Sequence, residues 1–331
     1  MKFIDFFAGI GGFTQGLKQA GMACAGFCEN DKFALKSYMA IHNTNLEKEW
    51  FSDDITRVQS SDIPYADGWT AGFPCQDISI CGEQTGLDGK RSGLFYEIIR
   101  LLQGKIENGE TLPKWLFFEN VKNLISINGG GDFTEILSQI SELGYDCEWQ
   151  VVNSKSYVPQ NRERVFIIGH FRGKCTGKVF PVGGTNAKTP LQIIGGRQGN
   201  RVYCPNGLSI CLTSSAGGMG GKTGLYCANK CDMTFIDLST SPRKTDIARC
   251  IKARYDSGIS NRNGELSGVL INGRVRRLTP RECFRLQGWS DFDFEKAQAV
   301  NSDSQLYKQA GNGVTVPVIR EIGERLMAIY G

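Results

Sequence analysis

The chain is poor in histidine and has no long apolar run near its start. Only two histidines occur among the 331 residues, and an acid, Asp5, already stands within the first apolar segment. A secretory signal or a membrane span needs a longer uninterrupted stretch, so neither is expected there. Twelve cysteines without such a signal indicate reduced thiols and a cytoplasmic location.

The cysteines also lack the close pairing that is typical of zinc sites. Cys227 and Cys231 are separated by three residues, and Cys204 and Cys211 lie nearby in the sequence. Zinc ligands usually form tighter pairs inside turns, often with histidine partners. We therefore expect no metal ion.

Charge is distributed unevenly along the chain. Residues 173–277 contain 16 Lys or Arg and 5 Asp or Glu, whereas the remainder contains 22 basic and 29 acidic residues. A basic block within an acidic body favours a surface for a polyanion, and the alternative is a solvated, loop-rich face. The block is rich in Gly, Ser, Thr and Asn, which predicts short strands and loops. The length of the chain is typical of two domains.

The first 30 residues predict a strand, a glycine turn, a helix and a second strand. The first strand covers residues 2–7, the turn residues 8–12 and the helix residues 13–20. The second strand covers residues 23–28 and leads into Glu29, which lies 20 residues after Gly9, a separation usual for an acid that binds ribose hydroxyls. The glycines do not form the full dinucleotide fingerprint, so a nucleoside or S-adenosylmethionine is favoured over NAD.

Further strands alternate with helical segments. They are predicted at residues 69–73, 115–118, 147–153 and 164–169. Asp132, followed three residues later by Glu135, resembles a capping box that starts a helix. The alternation predicts an α/β fold with a mostly parallel, Rossmann-like sheet. The carboxyl ends of its strands would meet at one cleft. That cleft would be lined by Gly11, Glu29, Asp54, Cys75 and Glu119.

Residues 70–76, Thr-Ala-Gly-Phe-Pro-Cys-Gln, place a cysteine where a strand ends. Pro74 cannot continue a hydrogen-bonded ladder, and a glycine-rich polar stretch follows as far as Gly93, where a helical pattern begins. A thiol at this place in an α/β protein is a candidate nucleophile. The alternative is a small buried cysteine in a turn.

Six blocks together resemble the cytosine-C5 DNA methyltransferases, over essentially the whole chain. In order, they cover residues 5–12, 72–76, 119–121, 160–164, 277–282 and 309–314. The resemblance implies that the Cys75 thiolate adds to C6 of cytosine, which activates C5 toward a sulfonium methyl group. It also implies that Glu119 holds the N3 edge, that Arg164 contacts O2, and that Arg162 contacts a phosphate or the loop after Cys75. The alternative for the two arginines is a surface ion pair with Glu163.

The same resemblance implies S-adenosylmethionine as cofactor, with S-adenosylhomocysteine as product. Phe7 would contact the adenine, Glu29 the ribose, and Asp54 with Ile55 the adenine edge. The remaining residues implied at this site are Ala8, Gly9, Gly11, Gly12, Asn30, Pro74, Asn312 and Val314.

Double-stranded DNA is the implied partner, and the target base must leave the stack to be reached. The loop 76–93 would close over it, with DNA contacts from Gln76, Ser79 and Arg91. The basic block would read bases in a target-recognition domain, where many family members carry Thr-Leu. This chain has Cys211, Leu212 and Thr213 there, and Cys250-Ile251 is a second candidate.

The predicted domains are a catalytic and cofactor-binding domain (1–172), a target-recognition domain (173–276) and a C-terminal segment (277–331) that returns to the first. A stand-alone catalytic unit resembles the bacterial or phage enzymes of restriction–modification systems. That resemblance implies a place in the bacterial cytoplasm, at the nucleoid, with a possible cognate restriction endonuclease. A monomer is expected because flipping one base needs only one copy of the chain, and the lack of a long apolar run predicts no membrane association. Alternatives are the same chemistry on tRNA, a non-catalytic DNA-binding relative and, less in keeping with the glycines, a dehydrogenase.

Overall fold

The computed structural model describes residues 1–73, 93–158, 160–173, 177–183 and 279–331, together with the backbone of six short strands between residues 192 and 270. The longer strands are β1 (Lys2–Phe6), β2 (Ala23–Cys28), β3 (Trp50–Ser52), β4 (Gly68–Ala71), β5 (Trp115–Val121), β6 (Tyr145–Asn153) and β8 (Glu163–Phe171), with the two-residue β7 (Gln160–Asn161) between the last two. The helices are α1 (Gly12–Gln19), α2 (Lys32–His42), α3 (Leu94–Glu107), α4 (Gly131–Glu142), α5 (Pro280–Leu286), α6 (Asp291–Gln298), α7 (Asp303–Asn312) and α8 (Val316–Tyr330).

Seven strands form one sheet in the order β3-β2-β1-β4-β5-β8-β6. The pairs from β3 to β5 are parallel, whereas β8 is antiparallel to both of its neighbours. The predicted α/β class with a mostly parallel sheet is therefore confirmed. Because β8 runs against the others, its first residues lie at the same edge of the sheet as the carboxyl ends of the parallel strands.

Both faces of the sheet are covered by helices. In β5, Leu116 and Phe118 belong to a core shared with α3 and α4, while Trp115 and Phe117 belong to a core shared with α1 and α8. This alternation follows from the two-residue period of a strand, and burial on both faces explains the continuous apolar run of β5.

The C-terminal helices pack on the N-terminal part of the chain. Helices α5, α6 and α7 share a core with α2. Helix α8 packs against α1 so closely that a Cβ on Gly16 would lie 2.6 Å from Cβ of Ile319. Residues 177–183 also belong to this body, because Val179 and Val182 are buried in the core shared with α1 and α8.

Local helix signals had mixed outcomes. Helix α5 begins as its sequence indicates, with Pro280 in the first turn and a capping box between Thr279 and Glu282. The predicted capping box at Asp132 is wrong. Helix α4 begins after Gly130, whose φ is +90°, so Asp132 lies inside the first turn, where its carboxylate accepts hydrogen bonds from Asn128. A glycine in the left-handed region replaces the side-chain cap here.

The basic block contributes the remaining short strands, which are β9 (Gln192–Ile194), β10 (Val202–Tyr203), β11 (Ser209–Ile210), β12 (Leu225–Tyr226), β13 (Thr234–Asp237) and β14 (Ser267–Leu270). Strand β11 pairs with β7, and the others form two small sheets. The division into three domains stays a prediction, because most of residues 184–278 lies outside the described part. Within the described residues, no helix is both long and apolar enough to cross a bilayer.

Candidate active site

A cavity of about 550 Å³ opens at the carboxyl ends of the parallel strands. Its walls come from the turn after β1, the ends of β2, β4 and β5, the start of β8, and the last turns of α7 with the residues that follow it. The lining residues are Phe7–Ile10, Gly12, Phe13, Glu29–Asp31, Ala34, Gly72, Phe73, Leu94, Glu119–Val121, Arg162, Arg164, Lys308, Gln309 and Gly311–Val314.

The turn after β1 is tight and leaves room for a ligand. Phe7 has a φ of +55°, which is rare for a bulky residue, and Gly9 follows with a φ of +59°. A Cβ on Gly9 would meet nothing within 4 Å, so the backbone there borders open space. Gly11, in contrast, does not line the cavity; its absent side chain makes room for His42 of α2.

Glu29 presents a buried carboxylate at the end of β2. It is 8% exposed, and its two oxygens accept N–H bonds from Gly9 (2.6 Å) and Asp31 (2.7 Å). Burial raises the pKa of Glu29 above its ordinary value, although these N–H donors oppose the shift. Each carboxylate oxygen retains a lone pair that can accept a hydroxyl.

Asp31 links α2 to the opposite wall of the cavity. One of its oxygens caps α2 by accepting from the backbone of Phe33 and Ala34, and the other forms a 2.7 Å ion pair with Lys308 of α7. The N-cap could have been found from the position of an Asp just before a helical apolar pattern. Its pairing with Lys308, 277 residues away, has no local signal.

Glu119 and Arg164 meet on neighbouring strands. The cross-strand register places Arg164 opposite Val121, and its Nε lies 3.0 Å from Oε1 of Glu119. Both side chains are largely buried, with exposed fractions of 17% for Arg164 and 11% for Glu119. The predicted alternative was an ion pair of this arginine with Glu163. Arg164 instead pairs with Glu119, and the Glu163 carboxylate pairs with Lys122.

Arg162 lies deeper than its neighbour. The residue is 2% exposed, and its guanidinium donates to the carbonyls of Gly311 (3.2 Å) and Gly313 (2.9 Å). It therefore supports the segment that carries Asn312 and Val314. Its predicted contact with a phosphate or with the loop 76–93 stays a prediction.

Two residues predicted at the adenine edge do not line the cavity. The carboxylate of Asp54 accepts hydrogen bonds from Thr56 and pairs with Arg57, and Ile55 belongs to the core beneath α3. Eight other predicted site residues lie outside the described part of the chain, namely Pro74, Cys75, Gln76, Ser79, Arg91, Cys211, Leu212 and Thr213. Cys204, Cys227 and Cys231 also lie there, and the described residues hold no cluster of three metal-ligating side chains.

Asn120 fixes the chain just before the predicted nucleophile. Its side-chain amide is 3% exposed and donates to the carbonyl of Phe73 at 3.0 Å. Phe73 lines the cavity. The sequence reading included Asn120 in a block but gave it no role.

Asp5 is a further buried acid near the cavity, and no role was predicted for it from the sequence. It is fully buried and accepts hydrogen bonds from Thr14 and Thr70. Burial raises the pKa of Asp5 to about 7, despite these hydrogen bonds. The acid ties β1 to α1 and β4, and thereby fixes the start of the turn.

Comparisons with known proteins agree in the chemistry that they indicate. A family model described as C-5 cytosine-specific DNA methylase matches residues 1–195 and 214–328. The type II methyltransferase M.HhaI of Haemophilus parahaemolyticus is 30% identical over 362 residues, covering 97% of this chain and 93% of the relative. The type II methyltransferase M.Bsp6I of Bacillus sp. strain RFL6 is 31% identical over 339 residues, covering 98% of both. The crystal structure of the S. pombe Dnmt2 methyltransferase superposes with a TM-score of 0.68 at 15% identity, covering 99% of this chain and 98% of that one, a likeness of fold.

Proposed function

The chain belongs to the C-5 cytosine-specific DNA methylase family, and from that premise we propose that it methylates a cytosine turned out of a short duplex site. The family chemistry is methyl transfer to C5 of cytosine in DNA. The observation that best supports the full proposal is the composition of one cavity. Glu29 and the glycine turn line it together with Glu119 and Arg164, so a nucleoside cofactor and a target base would share one space.

The described residues fit S-adenosylmethionine. Open space beside Gly9 accommodates a ligand against the backbone, Phe7 offers an aromatic face, and Glu29 offers carboxylate oxygens to ribose hydroxyls. Asn312 and Val314 close the cavity from the C-terminal side. When bound, S-adenosylmethionine supplies a methyl group on an electrophilic sulfonium. Pro74, Asp54 and Ile55 stay predicted contacts.

Cys75 would supply the covalent step. Its thiolate adds to C6 of cytosine, forming a C–S bond and moving electron density to C5 and N3. Glu119 holds or donates the proton at N3, and Arg164 stabilises the charge at O2. After methylation, loss of the C5 proton to a base expels the Cys75 thiolate and restores the aromatic ring.

DNA contacts would come from the loop after Cys75 and from the basic block. Gln76, Ser79 and Arg91 are proposed to contact the strand from which the base is flipped, because C5 is inaccessible in a stacked duplex. Cys211, Leu212 and Thr213 are proposed to contact bases, while lysines and arginines of residues 173–277 hold phosphates. The relatives named type II favour a restriction–modification role. A monomeric enzyme and a cognate endonuclease are part of the proposal.

Trapping on duplex DNA that contains 5-fluorocytosine tests the proposal. Fluorine at C5 blocks the final elimination, so the C6 adduct should survive denaturing electrophoresis. Wild-type protein with S-adenosylmethionine should give a DNA-linked band, and Cys75→Ser should give none. Cys147→Ser is the matched control, because burial raises the pKa of the Cys147 thiol to about 12 and keeps it unreactive.

Sequencing the trapped DNA would reveal the recognition site. A wild-type protein that binds duplex DNA but forms no adduct would contradict the proposed reaction. An adduct that persists in Cys75→Ser would contradict the assignment of the nucleophile.

A further inference from the structure

Three buried side chains from two parts of the chain meet at the C-terminal wall of the cofactor cavity. Gln160 lies in β7, Arg162 lies between β7 and β8, and Gln287 follows α5. Gln160 and Gln287 are fully buried and Arg162 is 2% exposed. Buried polar groups are costly unless they are hydrogen-bonded, so their partners show what they hold in place.

The partners are backbone carbonyls of the last turn of α7 and of Gly313, which follows it. The side-chain amide of Gln287 donates to the carbonyls of Ala310 (2.7 Å) and Gly313 (3.1 Å). Arg162 donates to Gly311 and again to Gly313. Three carbonyls within four residues are thus fixed from behind, on either side of Asn312.

The other atoms of Gln287 are engaged as well. Its side-chain oxygen accepts from Thr315 (2.9 Å) and Gln160 (3.1 Å), and its carbonyl accepts from the backbone of Val316 (2.9 Å). An apolar side chain of equal length would lose all the side-chain bonds. Gln160 would still donate to the carbonyl of Leu286, and Arg162 would still hold Gly313, but Ala310 would lose this donor.

The fixed segment forms the C-terminal wall of the cavity. Asn312 and Val314 line it, and a Cβ on Gly12 would lie 2.6 Å from Cγ2 of Val314. The wall therefore presses directly on the glycine turn that borders the ligand space. A shift of the segment by less than 1 Å would change that contact, since interiors are close-packed.

We propose that Gln287 is a positioning residue for cofactor binding, which holds residues 310–315 so that Asn312 and Val314 form the cavity wall. The proposal rests on the proposed function, because the ligand is S-adenosylmethionine. Gln287 touches neither the cavity nor the reacting atoms; it acts through the backbone of the wall. Its effect should therefore appear in cofactor affinity rather than in the chemical step.

Calorimetric titration with S-adenosylhomocysteine tests this on the full chain. Gln287→Met should raise the Kd about tenfold, as expected for the loss of one buried hydrogen bond that orders the wall. In methylation assays the KM for S-adenosylmethionine should rise similarly, while kcat at saturating cofactor stays within about twofold. The matched control is Gln139→Met on α4, a buried glutamine whose amide bonds to Glu135 of its own helix.

A double-mutant cycle shows whether Gln287 acts through the wall. In a Val314→Ala background, Gln287→Met should weaken binding much less than in wild type, because the contact that it positions is already truncated. If Gln287→Met folds poorly, Gln287→Asn can replace it in the test. Asn retains a polar group but is too short to reach Ala310, so this variant should also raise the Kd.

The proposed function and the positioning role of Gln287 can be contradicted separately. Wild-type protein that does not bind S-adenosylhomocysteine would contradict the proposed function. Three results would overturn the positioning role and leave the proposed function intact, provided that the wild type binds. They are an unchanged Kd in Gln287→Met, an equal loss of affinity in Gln139→Met, and additive effects of Gln287→Met and Val314→Ala on the Kd.

Discussion

At the scale of single residues, folding changes the pKa of Asp5 most clearly among the described acids near the cavity. Its pKa of about 7 lies well above that of an aspartate in an unfolded chain. Between about pH 4 and pH 7 the folded protein therefore holds a proton that the unfolded chain has lost. Stability should fall as the pH rises through this window and level off above it.

Asp5→Asn should remove that slope. An amide can mimic the protonated acid, because its oxygen can accept from Thr14 and its nitrogen can donate to the hydroxyl of Thr70, which in turn donates to the carbonyl of Ile4. Urea unfolding from pH 4 to pH 8 should show a decline on the order of 2–4 kcal/mol in wild type and a flatter profile in the variant. Asp146→Asn, at an exposed position, should keep the wild-type slope.

At the scale of secondary-structure elements, Asp31 performs two tasks that substitution can separate. Asp31→Asn keeps an oxygen for the α2 cap but removes the charge that pairs with Lys308, so we expect a loss of at most about 1 kcal/mol. Asp31→Ala removes both and should cost about 1 kcal/mol more. Urea denaturation of both variants checks this, and equal losses would contradict the capping role.

The crossing of α1 and α8 depends on glycine. A Cβ on Gly16 would lie 2.6 Å from Ile319 and 2.9 Å from the carbonyl of Val316. Gly16→Ala should therefore destabilise the protein by about 1–3 kcal/mol, although alanine favours helix.

Gly131→Ala is the matched control for this substitution. That glycine opens α4 with a φ of −58°, and an added Cβ would meet nothing within 4 Å. It should leave stability unchanged or raise it by up to about 1 kcal/mol. Thermal melts of both variants would decide, and equal behaviour would show that the helix crossing can relax.

At the scale of the whole molecule, the parts that the sequence predicts well are those with local causes. Apolar runs bounded by turn residues predict strands such as β2, whose bounds match, and the spacing of Gly9 and Glu29 predicts two walls of one cavity. Side-chain targets across long separations have no such signal. The pairing of Gln287 with Ala310, and of Arg162 with Gly311, depends on how the C-terminal helices pack against the sheet. The bond from Thr56 to the Asp54 carboxylate is local by contrast, an Asx turn of the kind that an Asp two residues before a Thr can form, and it was missed.

The contacts of residues 177–183 matter for any exchange of the predicted target-recognition domain between relatives. The predicted boundary at residue 172 would cut this segment from the catalytic body, yet Glu148 accepts from the backbone of Val179, Gln150 bonds to Val182 in both directions, and Arg325 of α8 donates to the carbonyl of Val179. A hybrid enzyme joined after Gly183 and before Thr279 would keep these contacts. A hybrid joined at residue 173 would replace residues 177–183 with those of the relative and would lose them. The first hybrid should melt near the parent temperature and the second well below it. The boundary at which the predicted target-recognition domain can be exchanged would then lie about ten residues after the start of the basic block.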